Sequence, residues 1–207
     1  MSTMFVRFVV AIVIVFSSCT AWARKAIDIT PIYGYQFGGS ANTYRGELRF
    51  KDGENVGFTV DFHSTRDTTI QFLYTYQDTT VEFVDYYNNF SRDGFGIEIE
   101  YFHIGGTKAI NSSNGTTSFV SGSLGATNFD PDRSGLSSET LFSLSFGLGV
   151  NKMFTERVGF RAQGRLLIPI QSAGGSIFCG NGGCSAGISG GTTLVQADIT
   201  AGLIVRF

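Results

Sequence analysis

LVQADITAGLIVRF, residues 194–207, closes the chain, and its reading decides the fold. Steps of two back from Phe207 meet Val205, Leu203, Ala201, Ile199, Ala197 and Val195, all of them apolar. Between them stand Arg206, Ile204, Gly202, Thr200, Asp198, Gln196 and Leu194, mostly polar or small. Side chains alternate between the two faces of a β-strand, so this segment is a strand with one apolar and one wetter face.

The same alternation recurs upstream. A first strand, from Ala26 to Gly38, sets Ile27, Ile29, Pro31, Tyr33, Tyr35 and Phe37 against Asp28, Thr30, Gly34 and Gln36. A second sets Val56, Phe58, Val60 and Phe62 against Asn55, Gly57, Thr59 and Asp61; a third sets Ile70, Phe72, Tyr74 and Tyr76 against Gln71, Thr75 and Gln77. The fourth reads Phe95, Ile97, Ile99 and Tyr101 as apolar face, with Gly96, Glu98, Glu100 and Phe102 opposite. In the fifth and sixth, Ser121, Ser123, Gly125, Ser143, Ser145, Gly147 and Gly149 make a small inner face. The seventh places Arg161, Gln163 and Arg165 opposite Val158, Phe160, Ala162, Gly164, Leu166 and Ile168. That predicts eight strands near the ten residues that a tilted bilayer crossing requires.

Four connections are long: Gly39–Glu54, Asp85–Gly94, Asp130–Glu139 and Ser172–Thr193. Within the first, Glu47 to Phe50 is expected to extend a hairpin beyond the bilayer. Ser64–Asp67 is a tight turn, and Gly105–Thr117 is expected as a longer turn at the same end. Aromatics sort by height. Tyr33, Tyr35, Tyr74, Tyr76, Phe95 and Phe142 gather near one rim, and Phe62, Tyr101, Phe160 and Phe207 near the other, as interfacial girdles do. With 27 Gly, 20 Phe, 3 Pro and only 15% charged residues, the 207-residue chain is poor in charge for a soluble domain. Past the N-terminus no apolar run is long enough for a membrane helix, and only a closed barrel satisfies its backbone in lipid without helices. A net charge of −2 with no basic stripe argues against nucleic acid as a partner.

These features resemble the small eight-stranded bacterial outer-membrane barrels, the OmpA-, OmpX- and OmpW-like group, over the whole mature chain. The alternating strand that ends on an aromatic residue is similar to that group's assembly signal, carried here by Leu203, Val205 and Phe207. Val205 stands where a Tyr is often found. The resemblance implies an all-β, transmembrane, antiparallel up-and-down β-barrel, with its apolar face to lipid and its polar face to the lumen. It further implies an outer-membrane location with both termini in the periplasm. The partners it implies are outer-membrane lipid, lipopolysaccharide and the barrel assembly machinery.

Residues 1–23 read as a cleavable signal peptide, leaving 24–207 as the barrel domain. Arg7 gives the basic start, Phe8–Phe16 the apolar segment and Ala21-Trp22-Ala23 the small-x-small site. Phe16-Ser17-Ser18-Cys19 is a degenerate lipobox and competes with that site. Cys179 and Cys184, separated by a Gly-rich spacer in the fourth long loop, are expected to form a disulfide in an oxidising compartment.

Asn128, Asp130, Asp132 and Glu139 have the spacing of a calcium loop, but Arg133 stands where such a loop needs Gly, so no metal is expected. His63 and His103 fall toward the terminal ends of their strands without a triad, which argues against catalysis and against a cofactor. The lumen is more informative. Asp61, Glu98, Glu100, Arg161, Arg165 and Asp198 read as inward charges that must pair, with Arg165–Glu98 and Arg161–Glu100 at matching depths. A packed polar plug predicts a non-enzymatic barrel serving envelope integrity or surface interaction through loops that meet an extracellular ligand. A selectivity filter in a narrow, porin-like channel is the alternative, and a lipid A-modifying enzyme a weaker one.

Overall fold

The computed structural model describes residues 26–42, 46–85, 91–133, 135–170, 179–180, 183–184 and 194–207. The expected signal peptide, with Cys19, lies outside them. Among the described residues there are twelve strands and no helix. They are β1 (Ile27–Phe37), β2 (Ser40–Asn42), β3 (Gly46–Phe50), β4 (Gly53–His63), β5 (Thr68–Asp85) and β6 (Ser91–Ser113). Then come β7 (Thr116–Pro131), β8 (Glu139–Met153), β9 (Val158–Ile170), β10 (Cys179–Gly180), β11 (Gly183–Cys184) and β12 (Gln196–Arg206).

Eight of these close on themselves in the order β1–β4–β5–β6–β7–β8–β9–β12, with β12 pairing back to β1 and every neighbour antiparallel. The wall has no free edge, so each strand's backbone is paired on both sides. The seam joins the first and last described strands: Ile27 and Phe207 exchange backbone hydrogen bonds of 3.4 and 2.9 Å. Short turns between β4 and β5, β6 and β7, and β8 and β9 lie at this termini end; the long connections lie at the other, the loop end.

Glu47 to Phe50 does extend a hairpin. The strand β3 that holds it runs on from β4 along the far half of β5, where Phe50 faces Val81 and Leu48 faces Phe83. The expected long turn at Gly105–Thr117 is a correction. Strand β6 continues through it to Ser113, and the chain reverses on Asn114-Gly115 alone. Their φ values of 50° and 72° are the left-handed pair of a type I′ hairpin, which Asn-Gly dipeptides favour because Gly carries no Cβ penalty there.

Seven of the eight wall strands face as the alternation reads them. Tyr33, Val56, Ile70, Leu124, Phe146, Leu166 and Ile199 stand out from the barrel, while Thr30, Thr59, Gln71, Thr127, Ser145, Gln163 and Thr200 are buried within it. Strand β6 is flipped. Ile97, Ile99 and Tyr101 are fully buried inside, and Phe102 and Ile104 are exposed outside. The register fixes this phase, because outward Tyr74 lies directly opposite Phe102 and inward Thr75 opposite Tyr101. Tyr101 therefore belongs to no girdle, and Phe95 packs against the buried apolar cluster instead of marking a rim.

Candidate functional site, the filled lumen

Side chains project into the barrel in layers. At the termini end, Asp28 of β1 accepts two hydrogen bonds from Arg206 of β12, at 2.7 and 2.8 Å. His63 Nε2 lies 2.8 Å from the same carboxylate and 3.5 Å from Arg206 Nη2. The residue types Asp28, His63 and Thr69 could suggest a charge-relay set. The hydroxyl, however, lies 3.4 Å from the imidazole, and Arg206 already engages both carboxylate oxygens.

In the middle layers Arg161 donates to Asp61 at 2.7 Å across the lumen, and Gln71 donates to the other oxygen of Asp61 at 2.7 Å. Arg161 also donates to Thr59 and Asn151, and its guanidinium lies 5.3 Å from the Phe119 ring centroid. Arg165 grips Asp198 with two bonds of 3.0 and 2.5 Å, and Asn55 donates to Asp198 at 3.1 Å. Gln36 links Asn55 to the Tyr101 hydroxyl, which donates to Gln196. Both arginine pairs are almost completely buried. Charges removed from water this far persist only when paired and further hydrogen-bonded, and here each inward Asp has its own Arg.

The small residues of β7 and β8 make room for these long side chains. Gln163 reaches over to Ser121 at 3.0 Å. A Cβ at Gly147 would come within 2.9 Å of Arg165 Cγ and 2.7 Å of Ser121 Oγ, so that glycine holds the space Arg165 occupies. His103 is another correction. It sits mid-strand and buried, between Ser123 Oγ at 3.1 Å and Ser143 Oγ at 2.6 Å, and among the described residues no carboxylate bonds to it.

Toward the loop end the filling turns apolar. Leu48, Phe50, Val81, Ile97, Ile99, Tyr101, Phe129, Leu167 and Leu194 form one buried cluster, with Phe95, Leu136 and Leu141 packed against it. This cluster was missed because the residues of β6 that build it read as lipid-facing.

Glu98 and Glu100, expected in the lumen, face outward with the rest of that flipped phase. Glu100 accepts the Tyr74 hydroxyl at 2.8 Å, and Glu98 that of Tyr76. Among the described residues neither reaches an arginine: Arg161 and Arg165 pair with Asp61 and Asp198 instead. The calcium-loop residues do not converge. Asn128 bonds Thr140 on the outer face, Asp130 and Asp132 are exposed, and Glu139 begins β8. Among the described residues no group of three or more His, Cys, Asp or Glu could hold a metal ion. Cys179 and Cys184 are direct partners in the short β10–β11 ladder, and their side chains lie outside what is described.

No family model and no curated protein matches the sequence. Solved structures do. Neisserial surface protein A aligns over 89% of this chain and all of its own, at 13% identity and a TM-score of 0.60. The outer membrane protein OprG of Pseudomonas aeruginosa aligns over 89% of this chain and 97% of its own, at 12% identity and TM-score 0.54. The outer membrane protein AlkL, solved in lipid bilayers, covers 93% and 95% at 8% identity and TM-score 0.55. This chain has the fold of the small outer-membrane β-barrels. The outward Tyr, Phe, Leu and Val side chains form an exposed apolar band around that barrel, and the polar layers line its inside.

Proposed function

We propose that this protein is a non-enzymatic barrel of the bacterial outer membrane, with both termini in the periplasm and a lumen closed along its length. It serves envelope integrity or surface interaction through its outer loops, and its leader is removed on export. The observation that carries the reading is the filling itself. Each inward Asp in the described lumen is bound by its own Arg, and a buried apolar cluster packs together toward the loop end. Water and ions crossing such a lumen would have to break buried charge pairs and wet an apolar cluster, and both steps are costly. Lipid and lipopolysaccharide around the band, and the assembly machinery at the C-terminal strand, are the partners this reading requires.

Single-channel recording in planar bilayers tests it. A closed barrel gives no steady openings, whereas unitary openings in the purified folded protein point to the narrow channel instead.

A further inference from the structure

The outward-facing charges are sorted by height. Across the apolar band, from Val56 to Phe62, Ile70 to Tyr76, Phe102 to Gly106, Val120 to Ala126, Phe142 to Val150 and Val158 to Ile170, no outward position carries a charge. At its loop-end rim stand Glu54, Asp78, Glu98, Glu100 and Asp130, and a described base of that end, Lys51, is taken up by an ion pair with Glu82 at 2.7 Å. At its termini-end rim the strands carry Lys108 on β6 and Lys152 on β8. Lys108 lies opposite outward Val120, and Lys152 opposite outward Phe160. Two residues beyond each lysine is a large apolar side chain exposed at the tip: Ile110 at 67% and Phe154 at 64%. The adjoining turns cancel in sign, Arg66 against Asp67 and Glu156 against Arg157. Among the described wall strands, these two lysines are the outward-facing charged side chains of this rim.

Lysines at the edge of an apolar surface can snorkel their ammonium groups toward a headgroup layer, Lys152 Nζ here also donating to the Asn114 carbonyl at 2.7 Å, and the apolar side chains beside them anchor the same level. Exposed lysines near an anionic membrane surface are attracted to it, and carboxylates are repelled. We propose that the Lys108–Lys152 rim docks on the phosphate headgroups of an anionic glycerophospholipid leaflet, while the carboxylate rim disfavours such a leaflet. The proposal rests on the reading of the apolar band as bilayer-spanning.

The test is urea-driven unfolding of the full chain in two kinds of vesicle, phosphatidylcholine alone and phosphatidylcholine with one third phosphatidylglycerol. The double variant Lys108→Gln, Lys152→Gln should match wild type in the first. In the second its folding equilibrium should fall by roughly fivefold per lysine, and high salt should erase the difference. The double variant Asp78→Asn, Asp130→Asn should move the other way, gaining in the anionic vesicles only. An equal loss in both lipids, or no loss in the anionic one, overturns the proposal. A wild-type chain that inserts as a barrel in neither lipid overturns the bilayer reading beneath it.

Discussion

The lumen's two ends are filled by opposite means. Toward the termini, Asp28, Asp61 and Asp198 are held by Arg206, Arg161 and Arg165 in a directional network. Toward the loops, Ile97, Ile99, Phe129 and Leu167 pack without direction, as in the core of a soluble protein. The charged end is vulnerable to the loss of a single partner, because what remains is a buried charge. The apolar end is vulnerable in proportion to the volume removed. Mutants should therefore distinguish the ends by the shape of their losses as well as by size.

The largest effect is expected from Arg165→Ala, which leaves Asp198 buried and unpaired and should cost on the order of 3–5 kcal/mol in urea unfolding. Adding Asp198→Ala should return part of that loss. If the double mutant is as unstable as the single, the charges are not acting as a pair. At the other end Ile99→Ala should cost roughly 2–5 kcal/mol by cavity formation, and no second truncation nearby should rescue it. Recovery there would erase the distinction between the ends.

Two smaller changes sharpen the boundary between inside and outside. Gly115→Ala places a Cβ at φ 72°, so it should cost about 1–2 kcal/mol, whereas an open loop at that position would tolerate it. Glu98→Gln should shift stability by no more than about 0.5 kcal/mol, since its carboxylate faces outward at the rim. A loss of several kcal/mol would return Glu98 to the lumen, opposite Arg165.

That last mutant marks where the sequence was hardest to read. On β1, β4, β9 and β12 the two faces differ sharply, with Asp28, Asp61, Arg161 or Asp198 against rows of Ile, Val, Phe and Leu, so alternation alone tells inside from outside. On β6 both faces hold large apolar side chains. Periodicity separates Ile97, Ile99 and Tyr101 from Phe102 and Ile104, but not which set meets lipid and which meets a core. The acids point the same way, because the charges of Glu98 and Glu100 argue for the lumen. At the rim they instead accept hydrogen bonds from Tyr76 and Tyr74, a device visible only once the strands are paired. The Asp28–Arg206 clasp was open to discovery, since both residues sit in the inward phase of their strands. It needed the knowledge that β1 and β12 touch. Asn114-Gly115 was readable from the start as a hairpin signal, and would have extended both flanking strands.

The seam between β1 and β12 also sets an order in time. Asp28 and Arg206 are 178 positions apart, nearly the span of the described chain. Contacts of such separation carry the largest loop-closure cost and form late. A folding chain thus carries β1 with one side unpaired until β12 docks against it. During that interval it has an adhesive edge, open to pairing with any other strand within reach.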